Sequence, residues 1–230
     1  MNFFIQRSEL RDIYDKVVAG ERISEADALR LFESKDLNAL GAIADFARQK
    51  KTGNNHASYI INRYVNYSNY CILSCQFCSF ARKKRDADGF ELTTEQIVEK
   101  AREALKIGIT ELHIVGGLHP SLPFSYYTDM LKALKALDAR LQLKCFTAIE
   151  ILHLAWLAKK SVEQTLIELK DAGLDSLTGG GAEIFQPEVR RAIAKGKESA
   201  AEYLDVHRTW HKLGQRSTCT MLYGHVESLA

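Results

Sequence analysis

The chain has 230 residues, a formal net charge of +2, and ordinary shares of hydrophobic (46%) and charged (26%) residues. This length supports one substantial core with a small extension, and the small net charge does not predict a nucleic-acid-binding surface. The sequence contains no run of about 18 or more apolar residues, so it predicts no transmembrane helix. The first residues lack a long apolar stretch and a small-residue cleavage site, so we expect a cytoplasmic protein with no membrane partner.

Residues 1–55 predict a helical extension of two or three helices. Ser24 has the character of a helix N-cap, with Asp27 three residues later and an apolar periodicity after it. A second amphipathic stretch follows and stops at Gly53, a residue type that commonly ends helices. We therefore assign residues 1–55 to an N-terminal extension and residues 56–230 to the core.

Strand and helix patterns alternate in the second part of the chain. The predicted helices cover 95–108, 124–137, 161–173 and 199–214, and three of them begin after the capping residues Thr93, Ser161 and Ser199. The predicted strands cover 58–67, 110–117, 141–150, 175–184 and 216–225. Such alternation predicts a parallel α/β architecture with right-handed connections.

Two parallel folds fit this alternation: an open doubly wound sheet and a partial (β/α) barrel. A doubly wound dinucleotide-binding sheet would carry G-x-G-x-x-G after its first strand. Cysteines follow the first strand here, which favours the partial barrel. Because the sequence ends soon after the fifth predicted strand, with no helix behind it, we expect the barrel to be truncated there.

A cysteine array in the loop after the first predicted strand is the strongest chemical signal in the chain. Cys71, Cys75 and Cys78 form a C-x3-C-x2-C pattern, and only two other cysteines occur. An odd, clustered set of thiols favours reduced metal ligands over a disulfide framework. In a β/α barrel this loop lies at the carboxyl end of the strands, where active sites are built.

The number of thiols bears on which metal they bind. Zinc needs a fourth ligand, which Cys145 or Cys219 could supply only through long-range folding. A [4Fe–4S] cube has four irons, so three cysteines leave one iron open to a small molecule. The pattern therefore favours a catalytic iron–sulfur cluster, with zinc or a disulfide as the alternative.

This cysteine pattern at the mouth of a partial barrel resembles the radical S-adenosylmethionine (SAM) superfamily. The resemblance implies that the open iron binds the amino and carboxylate groups of SAM. Reductive cleavage, fed by an electron donor such as flavodoxin or ferredoxin, then gives a 5′-deoxyadenosyl radical. Phe77, just before the third cysteine, matches the family's aromatic position beside the adenine.

A narrower resemblance, to the aminofutalosine synthases of menaquinone biosynthesis, covers nearly the whole chain. The matching blocks are "NRYVNYSNYCILSCQFCSF", "HIVGGLHPSLPFSYYTDML", "LKCFTAIEI", "LTGGGAEIF" and "TMLYGH". Cyclic dehypoxanthinyl futalosine synthases and the enzymes of deazaflavin (F420) formation are similar to several of these blocks and are alternatives. An inactive fragment with a non-catalytic metal site is the alternative from another class.

The resemblance to the aminofutalosine synthases implies a specific reaction. The 5′-deoxyadenosyl radical adds to the enol-ether double bond of 3-[(1-carboxyvinyl)oxy]benzoate, a chorismate-derived small molecule. Rearrangement and loss of the carboxylate as bicarbonate then give 6-amino-6-deoxyfutalosine and methionine. SAM is consumed as a substrate in this reaction, because its adenosyl part ends in the product.

Several strand-end residues are candidates for binding the cosubstrate SAM. Gly116 and Gly117 would let a ligand approach the backbone, although a plain turn also explains them. The superfamily often has Gly-Gly-Glu here, and Leu118 replaces that Glu, so another group must contact the methionine amino group. Glu150, at the end of the third predicted strand, is one candidate, with the start of a helix as the alternative. Glu183, after three glycines, is another, with a capping role as the alternative.

Other polar residues at the predicted mouth are candidates for chemistry and for substrate binding. We expect His119 and His225, together with Glu183, to act as catalytic residues, with a solvated loop as the alternative for His119. Asn62, Arg63 and Asn66 lie in the first strand, where alternate residues point inward. We expect some of these three residues to contact the substrate carboxylates.

Overall fold

A computed structural model describes residues 3–53 and 56–229. The chain divides into two compact units, Met1–Tyr59 with Glu227–Ala230, and Ile60–Val226. The predicted domain boundary between residues 55 and 56 stays a prediction. Residues 54 and 55, the last two of the predicted extension, lie outside the described residues. None of the helices in the described ranges has the length and hydropathy that a membrane crossing requires.

The first unit is helical. Its helices are α1 (Arg11–Ala19), α2 (Glu25–Glu33) and α3 (Leu37–Thr52). The predicted capping box at the start of α2 is present, because the Ser24 hydroxyl accepts from the Asp27 N–H and the Asp27 carboxylate accepts from the Ser24 N–H. Gly53 ends α3 in the left-handed conformation, as its residue type indicates. The apolar faces enclose a small core of Ile5, Leu10, Ile13, Ala39 and Ile43.

The second unit is a five-stranded parallel sheet with helices in the connections. The strands are β1 (Asn62–Asn66), β2 (Glu111–Val115), β3 (Gln142–Cys145), β4 (Ser176–Leu177) and β5 (Arg216–Ser217). The helices are α4 (Thr94–Leu105), α5 (Phe124–Leu137), α6 (Ala148–Ala158), α7 (Val162–Asp171), α8 (Pro187–Ile193) and α9 (Ala200–Lys212).

The order of the strands decides between the two parallel folds. The sheet runs β1-β2-β3-β4-β5, so each strand pairs with its successor along the chain. A doubly wound sheet reverses its strand order at a switch point, whereas a barrel keeps a single direction. The predicted α/β partial barrel is therefore confirmed.

Side-chain caps start several helices of the second unit, and three of these caps lie where the sequence predicts them. Capping boxes join Thr93 to Gln96, Ser161 to Gln164, and Ser199 to Glu202. Another capping box, between Thr147 and Glu150, starts α6, a helix that the sequence pattern did not predict. The predicted third strand was therefore too long: it ends at Cys145, and Glu150 lies in the first turn of a helix.

The fourth and fifth strands are also shorter than predicted. β4 ends at Leu177, before the three glycines, and β5 ends at Ser217. Gly181 has a φ of 110°, outside the extended range, and glycine has little tendency to form strands. After this run an unpredicted short helix, α8, begins with Pro187 in its first turn.

The main core lies between one face of the sheet and the helices. Val65, Leu112, Ile114, Leu143 and Leu177 point to this side and are almost fully buried. The opposite face carries the alternate residues of the same strands, and these are partly or largely exposed. The sheet is therefore apolar toward its helices and polar on its other face.

Candidate active site

The cysteine loop follows β1 and is held by backbone hydrogen bonds to three other segments. Cys71 N–H donates to the Arg82 carbonyl at 3.0 Å, and Ile72 N–H donates to the Leu118 carbonyl at 3.0 Å. Gln76 N–H donates to the carbonyl of Ile193, at the end of α8, at 2.8 Å. These bonds connect the cysteine loop to three other segments of the fold.

Two further interactions act directly on Cys71. Its sulfur lies 3.4 Å from the backbone N–H groups of both Leu73 and Leu118, which donate to it. The Lys83 ammonium donates to the carbonyls of Cys71 (2.8 Å) and Leu73 (3.0 Å). Hydrogen bonds to sulfur stabilise a thiolate ligand and tune the potential of a bound cluster.

The thiols of Cys71, Cys75 and Cys78 line one cavity of about 150 Å³. Cys145 is buried in the core and Cys219 is exposed; neither lines this cavity. Within residues 3–53 and 56–229, no three His, Cys, Asp or Glu side chains are arranged to hold a single metal ion. An iron–sulfur cube takes one thiolate per iron, so its ligands need not converge on one point. The three thiols therefore fit a cluster better than a zinc ion.

Glycine is required at positions 116 and 117 because other segments of the same chain pack closely against them. A Cβ atom on Gly116 would lie 2.5 Å from the Tyr67 ring, and one on Gly117 would lie 2.3 Å from the Tyr70 carbonyl oxygen. The second clash is with backbone, at the start of the cysteine loop. Close approach explains the glycines as predicted, but the approaching groups in the structure are Tyr67 and the cysteine loop.

Glu150 is buried against these glycines. Its carboxylate accepts hydrogen bonds from the Tyr67 hydroxyl (2.8 Å), the Gly116 N–H (3.0 Å), and the N–H and hydroxyl of Thr147 (both 2.7 Å). Burial raises the pKa of Glu150, and the hydrogen bonds from Thr147 and the other donors oppose that rise. Glu150 also lines the cysteine cavity, so its predicted SAM contact stays a prediction that the geometry allows.

Lys197 lines the same cavity, although it lies more than a hundred residues after the cysteines in the chain. The sequence patterns did not indicate it as a site residue. Its ammonium lies 2.5 Å from a carboxylate oxygen of Glu183 and 5.5 Å from the centre of the Phe77 ring. Both charged side chains are largely buried. Burial raises the pKa of the Cys75 thiol, and the positive charge of Lys197 partly offsets this rise. No local motif marks Lys197, because its partners lie far away in the chain.

Glu183 has an unusual backbone conformation for a non-glycine residue, with φ of 46°. An isolated parallel β-bridge pairs Glu183 with Met221, and the Glu183 carbonyl accepts a hydrogen bond from the Leu222 N–H at 2.8 Å. Positive φ is uncommon and costs free energy for such a residue, so the surrounding structure must favour it. The result is a carboxylate directed at Lys197.

The two predicted catalytic histidines lie in different settings. His119 is almost fully buried; Nε2 faces Glu91 at 2.7 Å, and Nδ1 accepts from the N–H groups of Ser121 and Leu122. Burial lowers the pKa of His119, and Glu91 opposes this. His225 is exposed, and its Nε2 lies 3.1 Å from the Leu222 carbonyl oxygen. Neither histidine lines the cysteine cavity, and a catalytic role for either stays a prediction.

The predicted substrate residues of β1 are divided between the two faces of the sheet. Arg63 has the same parity as the buried Val65, whereas Asn62 and Asn66 share the opposite face. Asn62 donates from its amide to Glu111 at 3.3 Å. A role for these residues in substrate binding stays a prediction, and their parity favours Asn62 and Asn66 over Arg63.

A larger groove, of about 830 Å³, lies around α8 and the start of α9. It contains no cysteine, and its lining includes Arg191, Lys195 and Lys197. The thiols, the buried acid and the strand-end glycines all belong to the smaller cavity. We therefore place the candidate chemistry in the cysteine cavity.

A partial parallel barrel with three thiols that line one cavity after its first strand is typical of an enzyme that binds an iron–sulfur cofactor at the mouth of the barrel. Residues 65–229 match the model of the Radical SAM superfamily. The chain belongs to the radical SAM superfamily, as its cysteine pattern predicts. The superfamily's cofactors, a [4Fe–4S] cluster and SAM, fit the donor set described above.

Curated relatives resemble the chain over most of its length. It is 43% identical to aminodeoxyfutalosine synthase of Streptomyces coelicolor, over 94% of this chain and 56% of the relative. It is 40% identical to aminodeoxyfutalosine synthase of Thermus thermophilus, over 98% of this chain and 60% of the relative. It is also 37% identical to cyclic dehypoxanthine futalosine synthase of Streptomyces coelicolor, over 98% of this chain and 57% of the relative.

A solved structure supports the fold. Methylornithine synthase (PylB) is similar with a TM-score of 0.68 and 21% identity, over 89% of this chain and 57% of that protein. At this identity the likeness concerns the fold alone. The chain spans little more than half the length of the curated relatives it matches, 56% and 60% for the two synthases.

Proposed function

We propose that the chain carries the radical SAM core of an aminodeoxyfutalosine synthase. This enzyme would join the adenosyl part of SAM to 3-[(1-carboxyvinyl)oxy]benzoate and form 6-amino-6-deoxyfutalosine for menaquinone biosynthesis. The observation that carries the chemistry is one cavity lined by Cys71, Cys75 and Cys78 together with Gly116–Gly117 and Lys197. The choice of substrate is supported by the identity to the two synthases over nearly the whole chain.

The residues of the cavity have separate roles in this proposal. Cys71, Cys75 and Cys78 hold the cluster, which supplies the electron that cleaves SAM when an electron donor such as flavodoxin or ferredoxin reduces it. The Phe77 ring lies beside the adenine. Lys197, which lines the cavity, and its ion-pair partner Glu183 contact the carboxylate and amino groups of the methionine part.

Glu150 in this proposal fixes the backbone on which SAM rests. Its carboxylate receives the Gly116 N–H, and Tyr67 joins it to the end of β1. This network holds the Gly116–Gly117 segment in the conformation that packs against the cysteine loop. Gly116 and Gly117 line the cavity at the place where Leu118 replaces the glutamate.

A second candidate is the cyclic dehypoxanthine futalosine synthase reaction, supported by 37% identity over 98% of this chain. The two reactions differ in the fate of the adenosyl radical. In the first it adds to the substrate and remains in the product. In the second it abstracts hydrogen and leaves as 5′-deoxyadenosine.

Isotope tracing separates the two reactions. The anaerobically reconstituted chain is incubated with a reductant, 3-[(1-carboxyvinyl)oxy]benzoate and SAM labelled in its adenosyl carbons. We expect labelled 6-amino-6-deoxyfutalosine in equal amount to methionine, detected by mass spectrometry. Label found only in free 5′-deoxyadenosine would contradict the addition reaction and favour hydrogen abstraction.

Two cysteine variants supply the matched control for this experiment. Cys75→Ser removes a thiol of the cavity. We expect this variant to lose both the visible absorbance band of the iron–sulfur cluster and the labelled product. Cys219→Ser removes an exposed thiol outside the cavity, and we expect it to retain both. A colourless unaltered protein that carries one zinc would contradict the enzyme and support a binding protein.

A further inference from the structure

Five polar side chains form one transverse row across the sheet. The register pairs Tyr64 with His113, His113 with Lys144, Lys144 with Ser176, and Ser176 with Arg216. Each of the five strands therefore contributes one residue at the same level. We call these five residues the polar row.

The polar row lies on the face of the sheet opposite the helices. Its strand neighbours Val65, Ile114 and Leu177 are buried among the helices. Ser217, next to Arg216, is also on the helix side, because its hydroxyl contacts His207 of α9 at 2.9 Å. Successive strand residues point to opposite faces, so the row faces the inside of the barrel.

The composition of the row is unusual for this position. The interior of a β/α barrel is normally filled by layers of bulky side chains, chiefly Val, Ile and Leu. Strands of parallel sheets, covered on both faces, commonly read as hydrophobic runs. The polar row contains no Val, Ile or Leu, so this level of the interior is suited to a polar ligand and is not built as a packed layer.

The charges of the row favour an anion. Among the residues that the structure describes, the Lys144 ammonium makes no hydrogen bond or ion pair, although the side chain is half-buried. Glu111, two residues before His113 on β2, accepts a hydrogen bond from Asn62. Lys144 is close enough to His113 to lower its pKa, after the larger effect of burial. The half-buried positive charge of Lys144 is thus available to a ligand.

The row also offers a flat aromatic surface. The Tyr64 and His113 rings stack with centroids 4.9 Å apart and planes 27° apart. Tyr64 lies on β1, at the edge of the sheet, and is 54% exposed. An exposed ring stack beside an unpaired ammonium is complementary to an aromatic carboxylate.

We propose that the polar row binds the benzoate end of the substrate, with Lys144 pairing with the aromatic carboxylate and the Tyr64–His113 stack lying against the ring. This inference rests on the proposed function, because it assigns the substrate of that reaction to a surface below the cysteine cavity. Arg216 adds a second positive charge at the far end of the same row, while the Ser176 hydroxyl donates to the Arg216 carbonyl at 3.0 Å. The ligand class is an aromatic dicarboxylate.

Equilibrium binding tests this assignment without turnover. The reconstituted chain, with SAM and no reductant, is titrated with 3-[(1-carboxyvinyl)oxy]benzoate by calorimetry. We expect Lys144→Met to raise the dissociation constant about tenfold or more. A charged hydrogen bond contributes roughly 1.5–3 kcal/mol, and each 1.4 kcal/mol changes the dissociation constant tenfold. Lys144→Arg keeps the charge, and we expect it to retain most of the affinity.

Lys106→Met is the matched control, because Lys106 is exposed at the end of α4 in the outer helix layer. We expect this variant to bind the substrate like the unaltered chain, and all variants to bind SAM equally. Equal substrate binding by Lys144→Met and Lys106→Met would overturn the assignment while leaving the proposed function intact. No substrate binding by an unaltered chain that still binds SAM would overturn both.

Discussion

The hydroxyl of Tyr67 donates a 2.8 Å hydrogen bond to the carboxylate of Glu150, 83 positions later in the chain. This bond joins the segment after β1 to the first turn of α6. The same carboxylate receives the Gly116 N–H after β2. One buried acid therefore connects the ends of the first three strands directly beneath the cysteine cavity.

Replacing this acid should destabilise the fold. Glu150→Gln keeps the size of the side chain but turns an amide toward donors, so we expect the free energy of unfolding to fall by about 2 kcal/mol, with Tyr67→Phe losing about 1 kcal/mol. Urea denaturation measures both. Glu163→Gln, an exposed acid in the first turn of α7, is the control. Equal stability of the Glu150 and Glu163 variants would contradict a structural role for the network.

Glu198 should make stability depend on pH. Its side chain is buried, neither carboxylate oxygen has a hydrogen-bond partner among the described residues, and Arg190 lies 3.5 Å away. Burial raises the pKa of Glu198 from 4.5 to about 7, while Lys197 and Arg190 lower it and Glu183 raises it. The folded state therefore holds a proton more tightly than the unfolded state between these two values.

The sign of this effect follows from linkage. A carboxyl with a raised folded pKa contributes stability that is fully present below about pH 4.5 and is lost as the pH rises through about 7. We expect the unaltered chain to lose about 3 kcal/mol relative to Glu198→Gln between pH 5 and pH 8. Unfolding by urea at several pH values measures the difference. Glu188→Gln, an exposed acid in α8, should leave the pH dependence unchanged; parallel profiles for the unaltered chain and Glu198→Gln would contradict the account.

The Lys197–Glu183 pair should show strong energetic coupling. Each side chain is largely buried, so removing one partner leaves the other charge without a counter-charge. In a double-mutant cycle of Lys197→Met and Glu183→Gln, we expect a coupling free energy of about 1–3 kcal/mol in unfolding. Lys195→Met, an exposed lysine two positions earlier, should show no coupling to Glu183→Gln. Additive effects of the first two substitutions would show that the pair does not act as a unit.

Gly117 should be intolerant of a side chain because of the cysteine loop. A Cβ atom there would lie 2.3 Å from the Tyr70 carbonyl oxygen and 2.9 Å from Cys71 Cβ. We expect Gly117→Ala to lower stability by about 1–3 kcal/mol and to reduce the iron content after reconstitution. Gly41→Ala, in the exposed middle of α3 with open space around it, should instead stabilise the chain by about 0.5–1 kcal/mol. Normal iron content in Gly117→Ala would contradict the packing argument.

The sequence predicted those parts of the fold that short-range chemistry determines. The capping boxes at Ser24, Thr93, Ser161 and Ser199 each place both partners within four residues, so they can be read directly. The cysteine spacing is equally local and led to the correct superfamily. The box at Thr147 was missed because the apolar stretch around it also fits a buried strand, and only length separates the two readings.

The rest of the site depends on contacts between distant parts of the chain. Lys197 meets Phe77 and Glu183 only because α8 turns back under the cysteine loop, where Ile193 accepts from Gln76. The polar row requires the register of all five strands, which no single segment contains. His119 shows the reverse case: its position in a loop suggested chemistry, whereas in the fold its ring is buried against Glu91.

The central claim is that three thiols hold a cluster with one iron open to SAM. Electron paramagnetic resonance of the anaerobically reconstituted, reduced chain tests it most directly, with and without SAM. The account predicts a [4Fe–4S] signal that changes on addition of SAM, persists in Cys219→Ser and is lost in Cys75→Ser. A cluster signal that SAM leaves unchanged, or one that survives in Cys75→Ser, would contradict it.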